Sequence, residues 1–130
     1  LLPEWFTKTG IEYMSTDLRF QHGFIAVNDT RVVGFISFFV TEGMGHIGWI
    51  GMLPEFHRQG IGRKLVDQLI SELSQKGVHE LRVNTLGDSV EYEPYERTRA
   101  FYRGIGFKDF RRLKQNNPEC PEQLIMVKYI

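Results

Sequence analysis

Apolar residues along this chain follow two spacings, and the alternation between them sets the expected order of elements. From Gly23 to Leu53 they come in short runs parted by turn residues: GFIAVND at 23–29, RVVGFISFFV at 31–40 and HIGWIGML at 46–53. Runs of this length, bounded by Asn28-Asp29 and by the TEGMG segment, predict three strands, the first two paired as a hairpin. After Pro54 the period lengthens. Ile61, Leu65, Val66, Leu69, Ile70 and Leu73 stand at steps of 4, 1, 3, 1 and 3, the stripe of an amphipathic helix, and Gly77 is suited to end it. HELRVNTL at 79–86 returns to alternation through Leu81 and Val83. A polar loop, GDSVEYEP, precedes a second helix over YERTRAFYRGIG at 95–106, and FKDFRRLK and QLIMVKYI supply two last strands. Ahead of all these, residues 3–20 predict two short helices broken at Gly10, with Ile11, Met14 and Leu18 on one face.

This order places one strand–helix–strand unit inside a chain otherwise connected by hairpins. The result is an α+β fold: a mixed, mostly antiparallel sheet of about six strands with helices on its faces. The crossover should be right-handed and should set its two strands parallel. No repeat, low-complexity tract or linker interrupts the pattern, so residues 1–130 read as a single domain with one core.

Composition narrows the function classes. Lys and Arg total 16 and so do Asp and Glu, so no global field favours nucleic acid or an anionic membrane. The longest apolar run, VVGFISFFV, is of strand length and too short to span a bilayer. The opening LLPEWFTKTG lacks the charged start and apolar middle of a signal peptide; it also lacks an initiator Met, so a short upstream segment is expected. Cys120 is the sole cysteine, which fits a reducing cytoplasm, and it reads as an incidental loop thiol between two prolines. No metal is expected.

Residues 54–65, PEFHRQGIGRKL, carry the first sign of chemistry. Two glycines stand where a helix begins, although each weakens a helix by roughly 1 kcal/mol relative to alanine. The first amides of a helix have no internal partner, and the helix dipole adds positive potential there. An anion satisfies both, and Gly60 and Gly62 leave its approach clear of Cβ atoms, with Arg58, Arg63 and Lys64 adding charge. A glycine turn with a solvated basic fringe is the plain alternative. The segment is not a Walker loop, because no GK[ST] follows at the required gap, and Leu65 stands where a dinucleotide fingerprint needs its third glycine.

In its context the segment resembles the signature of the GNAT family of N-acetyltransferases, [QR]-x-x-G-x-[GA] after a strand ending in V-x-P. The match here is MLPEFHRQGIG, with Met52 at the valine place and His57 departing from the first signature position. A second segment, TRAFYRGIGF at 98–107, is similar to the family's A-x-x-[FL]-Y-x-x-x-G-F. The resemblance covers nearly the whole chain from Gly23 onward. It implies that the amides of Arg58, Gln59, Gly60, Ile61, Gly62 and Arg63, with Lys64 beside them, hold the pyrophosphate of acetyl-CoA. It also implies a bulge that splays HIGWIGML from HELRVNTL, so that pantetheine enters the gap, with Ile50, Met52 and Leu53 lining it and Asn84 facing the acyl end.

Tyr102 reads by itself as a core aromatic; the resemblance makes it the general acid, or the hydrogen-bond partner, for the departing thiolate. The chemistry agrees, since a thiol has a pKa of about 8.5 and a phenol of about 10. For the base, the family carries a glutamate in patterns such as E-I-E-W, where this chain reads His46-Ile47-Gly48-Trp49. His46 has a suitable intrinsic pKa, and Glu42, Asp88, Glu91 and Glu93 stand in loops that can rim the acceptor site, with Trp49, Tyr92 and Tyr95 shaping it. The expected activity is transfer of an acetyl group from acetyl-CoA by direct attack of an amine, on a small molecule or an exposed amino group. A non-catalytic acyl-CoA-binding or sensing module of the same fold is the alternative. Exposed edge strands are compatible with a homodimer.

Overall fold

A computed structural model of the chain describes residues 19–87, 93–114 and 122–130. Six strands and two longer helices follow in the expected order: β1 (His22–Asn28), β2 (Arg31–Thr41), β3 (Met44–Met52), α1 (Ile61–Gln75), β4 (Glu80–Leu86), α2 (Glu93–Gly104), β5 (Lys108–Lys114) and β6 (Glu122–Tyr129). A single 3-10 turn, Pro54–Phe56, leads from β3 toward α1. The short helices expected within residues 3–20 fall almost wholly outside the described residues; Arg19 and Phe20 form a turn.

The strands make one sheet in the order β1-β2-β3-β4-β6-β5. Every neighbouring pair is antiparallel except β3 and β4, the two joined through α1, which run parallel. β3 begins two residues earlier than its apolar run suggests. Glu42 and Gly43 both take positive φ, 52° and 78°, so a two-residue hairpin turn replaces the longer TEGMG loop.

Both helices end in the same capping geometry. After α1 the N–H of Val78 donates to Leu73 O at 2.9 Å and that of Gly77 to Ser74 O at 3.1 Å, with Gly77 at φ 77°. After α2, Phe107 donates to Tyr102 O at 2.9 Å and Gly106 to Arg103 O at 3.1 Å, with Gly106 at φ 101°. These are Schellman motifs, in which glycine supplies the left-handed residue and the next residue packs back on the helix.

The predicted stripe of α1 faces the sheet: Leu65, Val66, Leu69 and Leu73 are buried against Ile36, Ile47, Leu81, Val83, Leu124 and Met126. Tyr102 and Phe107 join the same core, so both described helices share it. Alternation along the strands then turns Ser37, His46, Gly48, Arg82 and Asn84 to the opposite face. No helix of the described residues is long and apolar enough to cross a membrane.

Candidate functional site

The register between β2 and β3 slips once. Ile36 faces Ile50 but Phe38 faces Ile47, so Ser37 alone opposes both Gly48 and Trp49. That two-against-one count is a β-bulge carried by β3. The ladder cannot serve the Trp49 N–H there, and it donates instead to Ser37 Oγ at 2.9 Å. Ser37 Oγ in turn donates to Gln21 Oε1 at 2.6 Å. Ser37 is 1% exposed; the bond it accepts holds the bulge at Trp49, and the bond it donates fixes the Gln21 amide.

Beyond the bulge β3 leaves β4. The two strands pair only at Gly45–Leu81, His46–Arg82 and Ile47–Val83, although both continue. The sheet therefore opens as a slot between residues 48–52 and 84–86. Leu53 N–H donates to Val33 O at 2.9 Å, which fixes the alternation on β3. Gly51 and Leu53 turn their backbone groups to β2, whereas Ile50 and Met52 turn theirs into the slot. Met52 O accepts from His57 Nε2 at 3.2 Å.

At the end of the slot the chain forms a hook. His57 N–H closes the 3-10 turn on Pro54 O at 3.1 Å, and Lys64 N–H is the first to bond within α1, to Gly60 O at 3.0 Å. Among the described residues, the six intervening amides, Arg58 to Arg63, have no backbone acceptor, and no side chain caps the helix. Arg58 and Gly60 take φ of 62° and 79°, which turn the chain so that successive amides line one concavity. Gln59 Nε2 donates to Glu55 O at 3.0 Å, bracing the hook from behind. Arg58, Arg63 and Lys64 are exposed, with no carboxylate partner among the described residues.

The two glycines serve different ends. A Cβ at Gly60 would meet nothing within 4 Å, so glycine is needed there for its left-handed φ. A Cβ at Gly62 would stand 2.8 Å from Met52 Cε and 3.1 Å from Phe101 Cζ. The expectation that Gly62 clears the way for a ligand is corrected: its missing side chain lets α1 pack under α2 and β3.

Tyr102, 2% exposed, stands on the helix side of the sheet, edge-on to Phe101 and to Phe107 with ring centroids 5.2 Å away in each case. Its hydroxyl is bonded to no other described residue, and burial pushes its pKa well above the ordinary phenol value. The Gly106-Phe107 pair noted in the sequence is thus the cap that fixes the last turn of α2 and braces the Tyr102 ring.

On the other face, a cavity of about 180 Å³ opens beside the slot, lined by His46, Trp49, Arg82, Asn84 and Gln21 among others. His46 stacks on Phe39 at 4.8 Å and 9°, and its Nε2 lies 2.9 Å from Thr41 Oγ1. Burial, and next the Arg82 guanidinium, lower the His46 pKa, while Glu80 opposes them. Arg82 is itself engaged, paired with Glu80 at 3.2 Å and lying 4.7 Å over the Phe110 ring. A larger hollow, about 610 Å³, lies between β1 and the start of α1 and does not include the slot.

Of the loop acids, Glu42 sits in the β2–β3 turn outside this cavity. Asp88, Glu91, Tyr92, Cys120 and the Glu93 side chain lie outside the described residues; Tyr95 is half-buried on α2. Sequence reasoning missed Gln21 and Ser37. The signal for Ser37 was present, a lone hydroxyl inside VVGFISFFV. Among the described residues no cluster of three or more His, Cys, Asp or Glu is placed to hold a metal.

The profile of the acetyltransferase (GNAT) family matches residues 2–107. An uncharacterized N-acetyltransferase of Chlorobaculum tepidum is 27% identical over 108 residues, which make up 78% of this chain and 63% of that protein, so the chain spans somewhat under two thirds of that relative's length. The crystal structure of a protein assigned to the GNAT family from Desulfovibrio desulfuricans superposes with a TM-score of 0.80 at 24% identity, covering 96% of this chain and 83% of that one. A GNAT acetyltransferase of Elizabethkingia anophelis, solved with acetyl-CoA bound, also gives a TM-score of 0.80, at 18% identity and over 96% and 86% of the two chains. The family profile spans most of the sequence and the fold is shared, so the chain belongs to the GNAT family of acetyltransferases.

Proposed function

We propose that the protein is an acetyl-CoA-dependent N-acetyltransferase that moves the acetyl group by direct attack of an amine, on a small molecule or an exposed amino group. The observation that carries this reading is the run of six amides, Arg58 to Arg63, that meet no backbone acceptor among the described residues, at the end of an open slot. Such a concavity at a helix start suits a pyrophosphate, with Arg58, Arg63 and Lys64 adding charge. The backbone groups that Ile50 and Met52 turn into the slot suit the amide-bearing arm of the coenzyme, which would lie between β3 and β4 as a strand does, although Met52 O already accepts from His57 Nε2. Leu53 has spent its N–H on Val33 and lines the slot only through its remaining atoms. The relative from Elizabethkingia, solved with acetyl-CoA, supports the choice of ligand.

Acetyl-CoA supplies the acetyl thioester; the residues of this chain handle the protons. Tyr102 is on the helix side of the slot and His46 on the other. With its pKa lowered, His46 is neutral at about pH 7 and free to take a proton from the amine. If Nε2–H donates to Thr41 Oγ1, the lone pair of Nδ1 is the base. Tyr102, with its pKa raised, keeps its proton and holds it at the hydroxyl for the leaving sulfur. Asn84, one residue past the last position of β4 that pairs with β3, would face the acyl group.

One observation favours the alternative of an acyl-CoA-binding module without turnover: neither residue 46 nor residue 48 is a carboxylate. Thiol release from acetyl-CoA across a panel of primary amines tests both. Turnover that falls in Tyr102→Phe while coenzyme affinity is kept supports the enzyme. Tight coenzyme binding with no transfer to any amine selects the sensor, and no coenzyme binding removes both.

A further inference from the structure

Gly48 faces the cavity, and a side chain there would have to displace its neighbour. A Cβ at this position would stand 2.7 Å from Cδ and 2.9 Å from Nε2 of Gln21, so the glutamine amide fills the space into which residue 48 would project. Its orientation is set by the bulge. Ser37 Oγ accepts from Trp49 N–H, which leaves its own proton for Gln21 Oε1. The amide is thereby turned with its oxygen toward Ser37 and over Gly48, and among the described residues no second donor reaches that oxygen. The same amide lines the cavity beside His46 and Asn84.

We infer that Gln21 is the acceptor-holding residue: the open lone pair of Oε1 receives an N–H of the incoming amine and sets it before the slot, within reach of His46. The polar group at this place on the sheet comes from the turn before β1, and glycine at 48 is the space it needs. Unlike a carboxylate, the amide does not titrate, so it orients the amine and leaves proton removal to His46.

This inference rests on the acetyltransferase reading, and its test separates the two. Isotope-labelled protein is given coenzyme A and then phenethylamine, with backbone and side-chain amide resonances followed by NMR. Shifts at residues 58–63 on adding coenzyme check the reading. A shift of the Gln21 side-chain amide pair, assigned through its loss in Gln21→Ala, on adding the amine checks the inference. In turnover, Gln21→Ala is expected to raise KM for phenethylamine about tenfold, the loss of one hydrogen bond, with KM for acetyl-CoA unchanged. Gly48→Ala evicts the same amide without touching Ser37 and should match it, and the double variant should be no worse than either alone. A Gln21 signal that does not respond to the amine, or additive losses in the double variant, overturns the inference while leaving the coenzyme reading intact. Silence at residues 58–63 overturns the reading and the inference together.

Discussion

The N–H of Phe107 donates to the carbonyl of Tyr102 at 2.9 Å, and the two rings meet edge-on at 5.2 Å. The residue that caps α2 is therefore also the wall against which the proposed acid rests. Gly106, between them, has φ 101°, a conformation open to glycine and strained for other residues. Gly106→Ala should lower stability by roughly 1–2 kcal/mol, read from the urea midpoint. It should also reduce kcat beyond what the unfolded fraction explains, because the Tyr102 ring loses its fixed backing. An unchanged kcat at full folding would separate the cap from catalysis.

Gly60 and Gly62 give a second prediction, because the same substitution acts on each through a different cause. Gly60→Ala meets no atoms but holds alanine at φ 79°, so the hook deforms and coenzyme affinity should fall, at a stability cost of about 1 kcal/mol. In Gly62→Ala the flexible Met52 tip can move aside, whereas the half-buried Phe101 ring at 3.1 Å must shift against the core it packs on, costing about 1–3 kcal/mol. The expected pattern is a binding defect for the first and a larger melting defect for the second, seen by calorimetric titration and thermal denaturation.

The same pair shows what was legible in the sequence. The hairpin runs, the α1 stripe and the glycine turn are local patterns, and each appears at its place because short-range spacing dictates it. The purpose of Gly62 was not legible, since its crowding comes from Phe101 on the next helix. Nor was the link from Gln21 through Ser37 to Trp49. It depends on one slipped register between β2 and β3, and strand facing cannot be read before the register is known. The slot was expected only by resemblance; its cause, three residues of pairing followed by a bulge-driven departure, is visible only in the sheet.

The lowered pKa of His46 fixes the sign of two pH effects. As a base it must be neutral, so kcat/KM should be flat above about pH 7 and fall as pH drops through a value below 6.5. Stability moves the same way. The unfolded chain takes up this proton at a higher pH than the folded one, so acidification through that window destabilises the fold, and the loss is absent above it. Replacing Arg82 by Met should move the acid limb of the rate profile upward only in part, because burial outweighs the guanidinium as the cause. His46→Gln should erase that limb, and a profile unaltered by this change would remove His46 from the mechanism.

Ser37→Ala tests the bulge itself. The hydroxyl is buried and is the acceptor for Trp49 N–H as well as the donor to Gln21 Oε1. Removing it takes away the acceptor that the Trp49 N–H has in the fold, which costs about 1–3 kcal/mol. Hydrogen exchange at Trp49 should quicken by more than that at Leu53, whose bond to Val33 is untouched. If β3 answers by closing the bulge and pairing further along β4, the slot narrows, and coenzyme affinity should fall although no proposed contact residue has changed. Equal exchange at Trp49 in both proteins would show that the bulge stands without its hydroxyl.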